Sequence, residues 1–121
     1  MRMISRPRGA DGTEEIYMQI ALIDGFIVAE EVREEFLSNV HFSANYLKTL
    51  SGFVEGYVYE RAADGKGFDV VTTAVWESEA AFEAARQTAA IEFQKLGFNP
   101  PEILQRLGVQ IERAAYRRKP Y

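Results

Sequence analysis

Ile16-Tyr17-Met18-Gln19-Ile20-Ala21-Leu22-Ile23 is largely apolar at both alternating positions, which predicts a β-strand covered on its two faces. Asp24-Gly25 reads as a bulge or break before Phe26-Ile27-Val28. From Ala29 to Leu50 the period changes: Val32, Phe36, Val40, Ala44 and Leu47 fall on one helical stripe with Leu37 beside it, and Glu30, Glu31, Glu34 and Glu35 fall mostly off it. This is a long amphipathic helix, and Ser51-Gly52 stops it. Phe53 to Arg61 predicts a second strand, Ala63-Asp64-Gly65-Lys66-Gly67 a hairpin turn, and Phe68 to Trp76 a third strand rich in β-branched residues. The Gly-Lys-Gly piece joins two strands and lacks phosphate-loop spacing, so it reads as a turn.

At Trp76 the strand gives way directly to a helix. Ser78 suits an N-cap and Glu79 the first turn, and the helix runs to about Leu96 with Phe82, Ala85, Ala89, Phe93 and Leu96 on its buried face and Gly97 after it. Asn99-Pro100-Pro101-Glu102 opens a short helix to Leu107, with Pro at its first positions and an acid at the third. After Gly108, Val109 to Tyr116 makes the last strand.

The resulting order, βαββαβ with one short extra helix, is an α+β, ferredoxin-like plan: a four-stranded antiparallel sheet with both long helices on one face. Two helices cover only one face, yet Tyr17, Ala21 and Ile23 oppose Met18, Ile20 and Leu22, and Val71 and Val75 oppose Val70 and Trp76. A second copy of the sheet is the economical cover for the other face, which predicts a homodimer.

Composition narrows the function classes. At 121 residues the chain reads as one domain, over residues 15–118, after a flexible leader over 1–14 and before a tail of 119–121. No cysteine and one histidine leave no thiolate site and make a transition-metal cage a poor fit, so no metal or other cofactor is expected. Of the 14 basic residues, Arg2, Arg6, Arg8, Arg117, Arg118 and Lys119 lie in the tails, leaving an acidic body that lacks the basic stripe nucleic acid requires. No apolar run approaches the ~18 residues of a membrane span and the start lacks an apolar signal core, so a cytoplasmic protein with no membrane partner is expected.

Several segments carry a family resemblance. Phe26-Ile27-Val28 leads into a helix with Glu34-Glu35-Phe36, Ser51-Gly52-Phe53 precedes the second strand, and Ala74-Val75-Trp76-Glu77-Ser78 is followed by Ala81-Phe82. In these, over roughly Ile16 to Phe93, the chain resembles the antibiotic biosynthesis monooxygenase family, a dimeric α+β barrel group. The resemblance implies a pocket between helices and sheet in each subunit. In polyketide-oxidising members an electron-rich aromatic substrate reacts with oxygen there without flavin, metal or haem. Such members often carry Asn four residues before the strand Trp and Tyr six after it, where this chain has Thr72 and Phe82. Haem-degrading relatives use a first-strand Asn and a second-helix Trp and His, where this chain has approximately Ile20, Ala85 and Lys95.

The candidate chemistry centres on His41 and Asn45, one turn apart on the first helix and just off its apolar stripe. A histidine and an amide facing one pocket can position a phenolic small molecule and take its proton, histidine being the residue type that titrates near neutrality; a half-exposed helix histidine without a role is the alternative. Trp76 and Thr72 share a strand face and are candidates to line the pocket with Phe82, Trp76 reading first as a core or pocket-wall residue. Tyr57 and Tyr59 share another strand face and suit either a flat ligand or a subunit interface. Arg86 reads as a solvated residue. Two functions follow: a cofactor-independent monooxygenase acting on an aromatic or quinone-type molecule, or a non-catalytic binding or dimerisation module of the same fold.

Overall fold

A computed structural model describes residues 13–62 and 64–121. Its four strands, β1 (Ile20–Ile27), β2 (Phe53–Glu60), β3 (Val70–Trp76) and β4 (Gln110–Arg117), form one sheet in the order β2-β3-β1-β4, with every neighbouring pair antiparallel. The helices are α1 (Thr13–Tyr17), α2 (Arg33–Leu47), α3 (Glu79–Leu96) and α4 (Pro100–Leu107). This is the expected ferredoxin-like α+β arrangement. Ser78 caps α3, its Oγ accepting from the Ala81 amide at 3.1 Å, and Asn99 caps α4, its Oδ1 accepting from the Glu102 amide at 3.2 Å.

The start of the domain differs from the sequence reading. Ile16 and Tyr17 belong to α1, which ends in turns donated by the Met18 and Gln19 amides. The strand opens only at Ile20, because its partners Trp76 and Arg117 stand at the end of their own ladders and, among the described residues, nothing pairs beyond them. Of the leader expected over residues 1–14, residues 1–12 lie outside the described residues and Thr13 opens α1. The single helix expected over Ala29–Leu50 is a 3-10 turn (Glu30–Val32) followed by α2.

Asp24-Gly25 is likewise no break. Asp24 sits opposite Thr72 and Arg113, and Gly25 opposite Val71 and Glu112, in an uninterrupted strand. Glycine is needed there because the Phe68 ring lies over it: a Cβ would stand 2.5 Å from a ring carbon. Gly25→Ala is therefore expected to lower stability by roughly 1–3 kcal/mol, the usual cost of overpacking, as read by urea denaturation.

The irregularity lies instead in β2, where the register shifts between Phe53 and Glu55. This bulge turns Phe53 to the helix-bearing face, opposite Trp76, while Glu55, Tyr57 and Tyr59 face the other way. Plain alternation would place Phe53 and Glu55 on one face, and the extra residue separates them.

The main core gathers at one end of the sheet, where Phe26, Val28, Phe36, Val70, Leu107 and Val109 are buried together and the Phe26 and Phe36 rings pack 4.9 Å apart. Phe42 and Tyr46 of α2, Phe93 of α3 and Phe98 form a second aromatic cluster between the helices. On α3 the buried face is carried by Ala85 and Ala89 with Phe82 and Phe93 half-buried, and Leu96 is exposed. On the opposite face of the sheet Ile27, Tyr57, Tyr59 and Tyr116 are exposed in the single chain.

Candidate functional site

Strand pairing sorts the helix-facing side chains into rows that cross the sheet. One row is Gly56, Ala74, Leu22 and Ala115, and another is Glu60, Val70, Phe26 and Ile111. Between them runs Val58, Thr72, Asp24 and Arg113, so one polar row is flanked by largely apolar ones. Above this row α2 and α4 stand apart from the sheet and leave a cavity of about 530 Å³. That volume lies within the range of small-molecule sites.

Three walls enclose it. The sheet supplies Leu22, Asp24, Thr72 and Arg113. The second wall is α2, whose stripe Phe36, Val40 and Ala44 faces inward with His41 and Asn45 beside it. The third is Phe98, Pro100, Ile103 and Leu104, from the start of α4 and the residues before it. The lining is mostly apolar with few polar groups, the usual make-up of a ligand site. Two of those polar groups are turned back on their own helix: Asn39 Nδ2 donates to the Glu35 carbonyl at 2.9 Å, and Ser43 Oγ to the Val40 carbonyl at 3.1 Å. His41 and Asn45 are exposed at the wall.

The strongest polar contact in the cavity is an ion pair. Arg113 donates through Nε to Asp24 Oδ1 at 2.9 Å and through Nη2 to Oδ2 at 2.8 Å, a fork-on-fork geometry. The Asp24 side chain is 8% exposed and that of Arg113 is 59% exposed, so a buried carboxylate anchors an accessible guanidinium. The hydrogen bonds to Asp24 raise the guanidinium's pKa above its usual range, opposed in part by burial. Arg113 therefore stays charged at every working pH.

His41, Asn45 and Thr72 thus border one cavity, and Tyr57 borders it at the Gly56 edge. Trp76, Tyr59 and Phe82 do not. Trp76 lies in the end row with Ile20 and Arg117, is 2% exposed, and meets Phe53 edge-on at 5.3 Å. Its ring packs against Phe53, which does line the cavity. Tyr59 lies on the opposite sheet face, its ring 6.3 Å from that of Tyr57. Phe82 is half-buried on α3, which is absent from the cavity walls. Arg86, also on α3, bonds Glu83 at the surface.

Sequence reasoning missed Asp24, Arg113 and the α4 wall. A carboxylate within an apolar strand was the available signal, and reading Asp24-Gly25 as a break concealed it.

A profile of the antibiotic biosynthesis monooxygenase family matches residues 18–93, more than half of the chain. The chain belongs to that family. Known structures show the same fold at low identity. SnoaB, a cofactor-independent oxygenase from Streptomyces nogalater, is 24% identical, with a TM-score of 0.62 over 85% of this chain and 95% of its own. A dimeric ferredoxin-like protein from an uncultured marine organism is 19% identical, with a TM-score of 0.58 over 85% of this chain and 96% of its own. A hydroxynitrile lyase from Passiflora edulis is 13% identical, with a TM-score of 0.64 over 87% of this chain and 97% of its own. No curated protein matches the sequence. Within the family the matched segment takes in β1, α2, β2, β3 and most of α3, whereas α4 and β4, with Ile103, Leu104 and Arg113, lie beyond it.

Proposed function

We propose that the protein is a cofactor-independent monooxygenase acting on an aromatic, hydroquinone-type small molecule in the cavity between α2, α4 and the sheet. The observation that carries this reading is the placement of His41 and Asn45 at the wall of a largely apolar cavity large enough for a fused-ring ligand, in a chain of the monooxygenase family. His41 takes a phenolic proton, and Asn45, one turn further on the same helix, holds a neighbouring oxygen. The deprotonated ring is electron-rich enough to reduce dioxygen directly. A hydroquinone and dioxygen then give a hydroxyquinone and water, the substrate supplying all the electrons. Asp24 is a poor rival base because both its oxygens accept from Arg113.

An oxygen electrode tests this with the purified protein and a panel of naphthohydroquinones. Uptake faster than the uncatalysed autoxidation, saturating with substrate, is expected. Autoxidation-level uptake across the panel would leave the non-catalytic binding module as the better reading.

The proposal includes a homodimer. Ile27, Tyr57, Tyr59 and Tyr116 stand exposed on the helix-free sheet face, and Tyr57 and Tyr59 suit such an interface better than a ligand. A relative of this fold is dimeric. Light scattering at micromolar concentration should give twice the 13.7 kDa chain mass; a pair of this kind buries more than ~1,200 Å², and a monomer would remove this part of the proposal.

A further inference from the structure

The charges around the cavity are unequal. Among the described residues its lining contains one carboxylate, Asp24, and two fixed cations, Arg113 and Lys48. Both Asp24 oxygens accept from Arg113, so the carboxylate is already neutralised. A cavity with a surplus of positive charge has thus formed within a chain whose net charge is -4.

The geometry of the pair says which group the surplus serves. Asp24 occupies the Nε/Nη2 edge of the guanidinium. The Nη1/Nη2 edge is a second fork of parallel donors, matched to another carboxylate or similar planar oxyanion. The side chain is more than half exposed and borders the cavity, so this fork is accessible. Its anchor is rigid, because Asp24 is buried in the middle of the central strand with Thr72 and Arg113 as its ladder partners. An arginine pinned on one edge loses little rotamer freedom on binding through the other, which favours recognition over mere solvation.

We propose that the cavity selects aromatic molecules bearing a carboxylate or equivalent planar oxyanion, and that the Nη1/Nη2 fork of Arg113, held in place by Asp24, recognises that group. This rests on reading the cavity as the substrate site and adds an acidic substituent to the substrate class. Asp24 is a positioning residue in this account, acting only through Arg113.

Isothermal titration calorimetry with 2-naphthoate and its methyl ester tests the assignment, since both carry the same ring system and differ in charge. Wild-type protein should bind the acid at least about tenfold tighter than the ester, the scale of a charge-assisted hydrogen bond. Arg113→Gln should abolish that preference and leave ester affinity within about twofold, while Lys48→Gln changes the preference less than about threefold. Arg113→Gln strands a buried carboxylate, so the double variant Asp24→Asn/Arg113→Gln, which replaces the ion pair by amides, is measured beside it with its thermal midpoint. It should show the same loss. Equal affinity for acid and ester in the wild type would overturn the proposal, as would a preference that survives in both Arg113 variants or disappears with Lys48→Gln. Failure of both probes to bind would overturn it together with the ligand-site reading. An Arg113-dependent preference for the acid, combined with no oxygen uptake on hydroxynaphthoates, would uphold it and remove the oxygenase reading alone.

Discussion

His41→Ala should lower the rate of oxygen uptake by about 10²- to 10⁴-fold, the contribution of a positioned general base. The loss should appear in kcat more than in KM, because the apolar walls that hold the ring are untouched and the proton transfer belongs to the transition state. Stability should hardly change. His41 is exposed on α2, and surface substitutions of this kind usually stay within about 0.5 kcal/mol. Asn45→Ala should act more weakly and mostly through KM, since an amide that orients one oxygen contributes a single hydrogen bond. A His41→Ala variant with full activity would show that the proton leaves by another route.

Trp76→Ala should behave in the opposite way, losing roughly 3–5 kcal/mol of stability, the cost of removing a buried large aromatic. Trp76 is 2% exposed and packs edge-on against Phe53. The cavity left behind cannot collapse easily, because the residue lies in a sheet row bounded by Ile20 and Phe53, whose backbones are fixed by the ladders. Any effect on activity should come through Phe53, which lines the site and would lose its support. Urea denaturation reads the first effect directly; a midpoint close to wild type would mean that the indole contributes little to the core. The contrast between the two variants separates a residue that acts on a ligand from one that holds the wall behind it.

The fold was readable because its signals are local and agree with one another. The caps at Ser78 and Asn99, the stop after Leu96 and the switch of period at Trp76 each mark a boundary that backbone chemistry enforces. What the sequence hid depended on partners distant in the chain. The first strand starts at Ile20 because β3 and β4 end opposite it, which no inspection of residues 16–23 reveals. The bulge at Phe53/Glu55 moves Phe53 to the cavity side and leaves Tyr57 and Tyr59 on the other, and only the pairing with β3 discloses it. His41, Asn45 and Thr72 could be named because helix and strand periodicity project them to one side. Asp24 and Arg113 could not be paired, since they are 89 positions apart and meet only when β4 lies beside β1.

If an aromatic molecule binds against His41 in the cavity walled by α2, α4 and the sheet, the imidazole itself reports it. His41 is the sole histidine of the chain, so its ring-proton resonances can be followed without assignment of any other. On titration with 2-naphthoate at constant pH these signals should shift progressively and saturate together with the binding isotherm. Binding that saturates while the His41 signals stay in place would mean that the ligand occupies a surface other than this cavity.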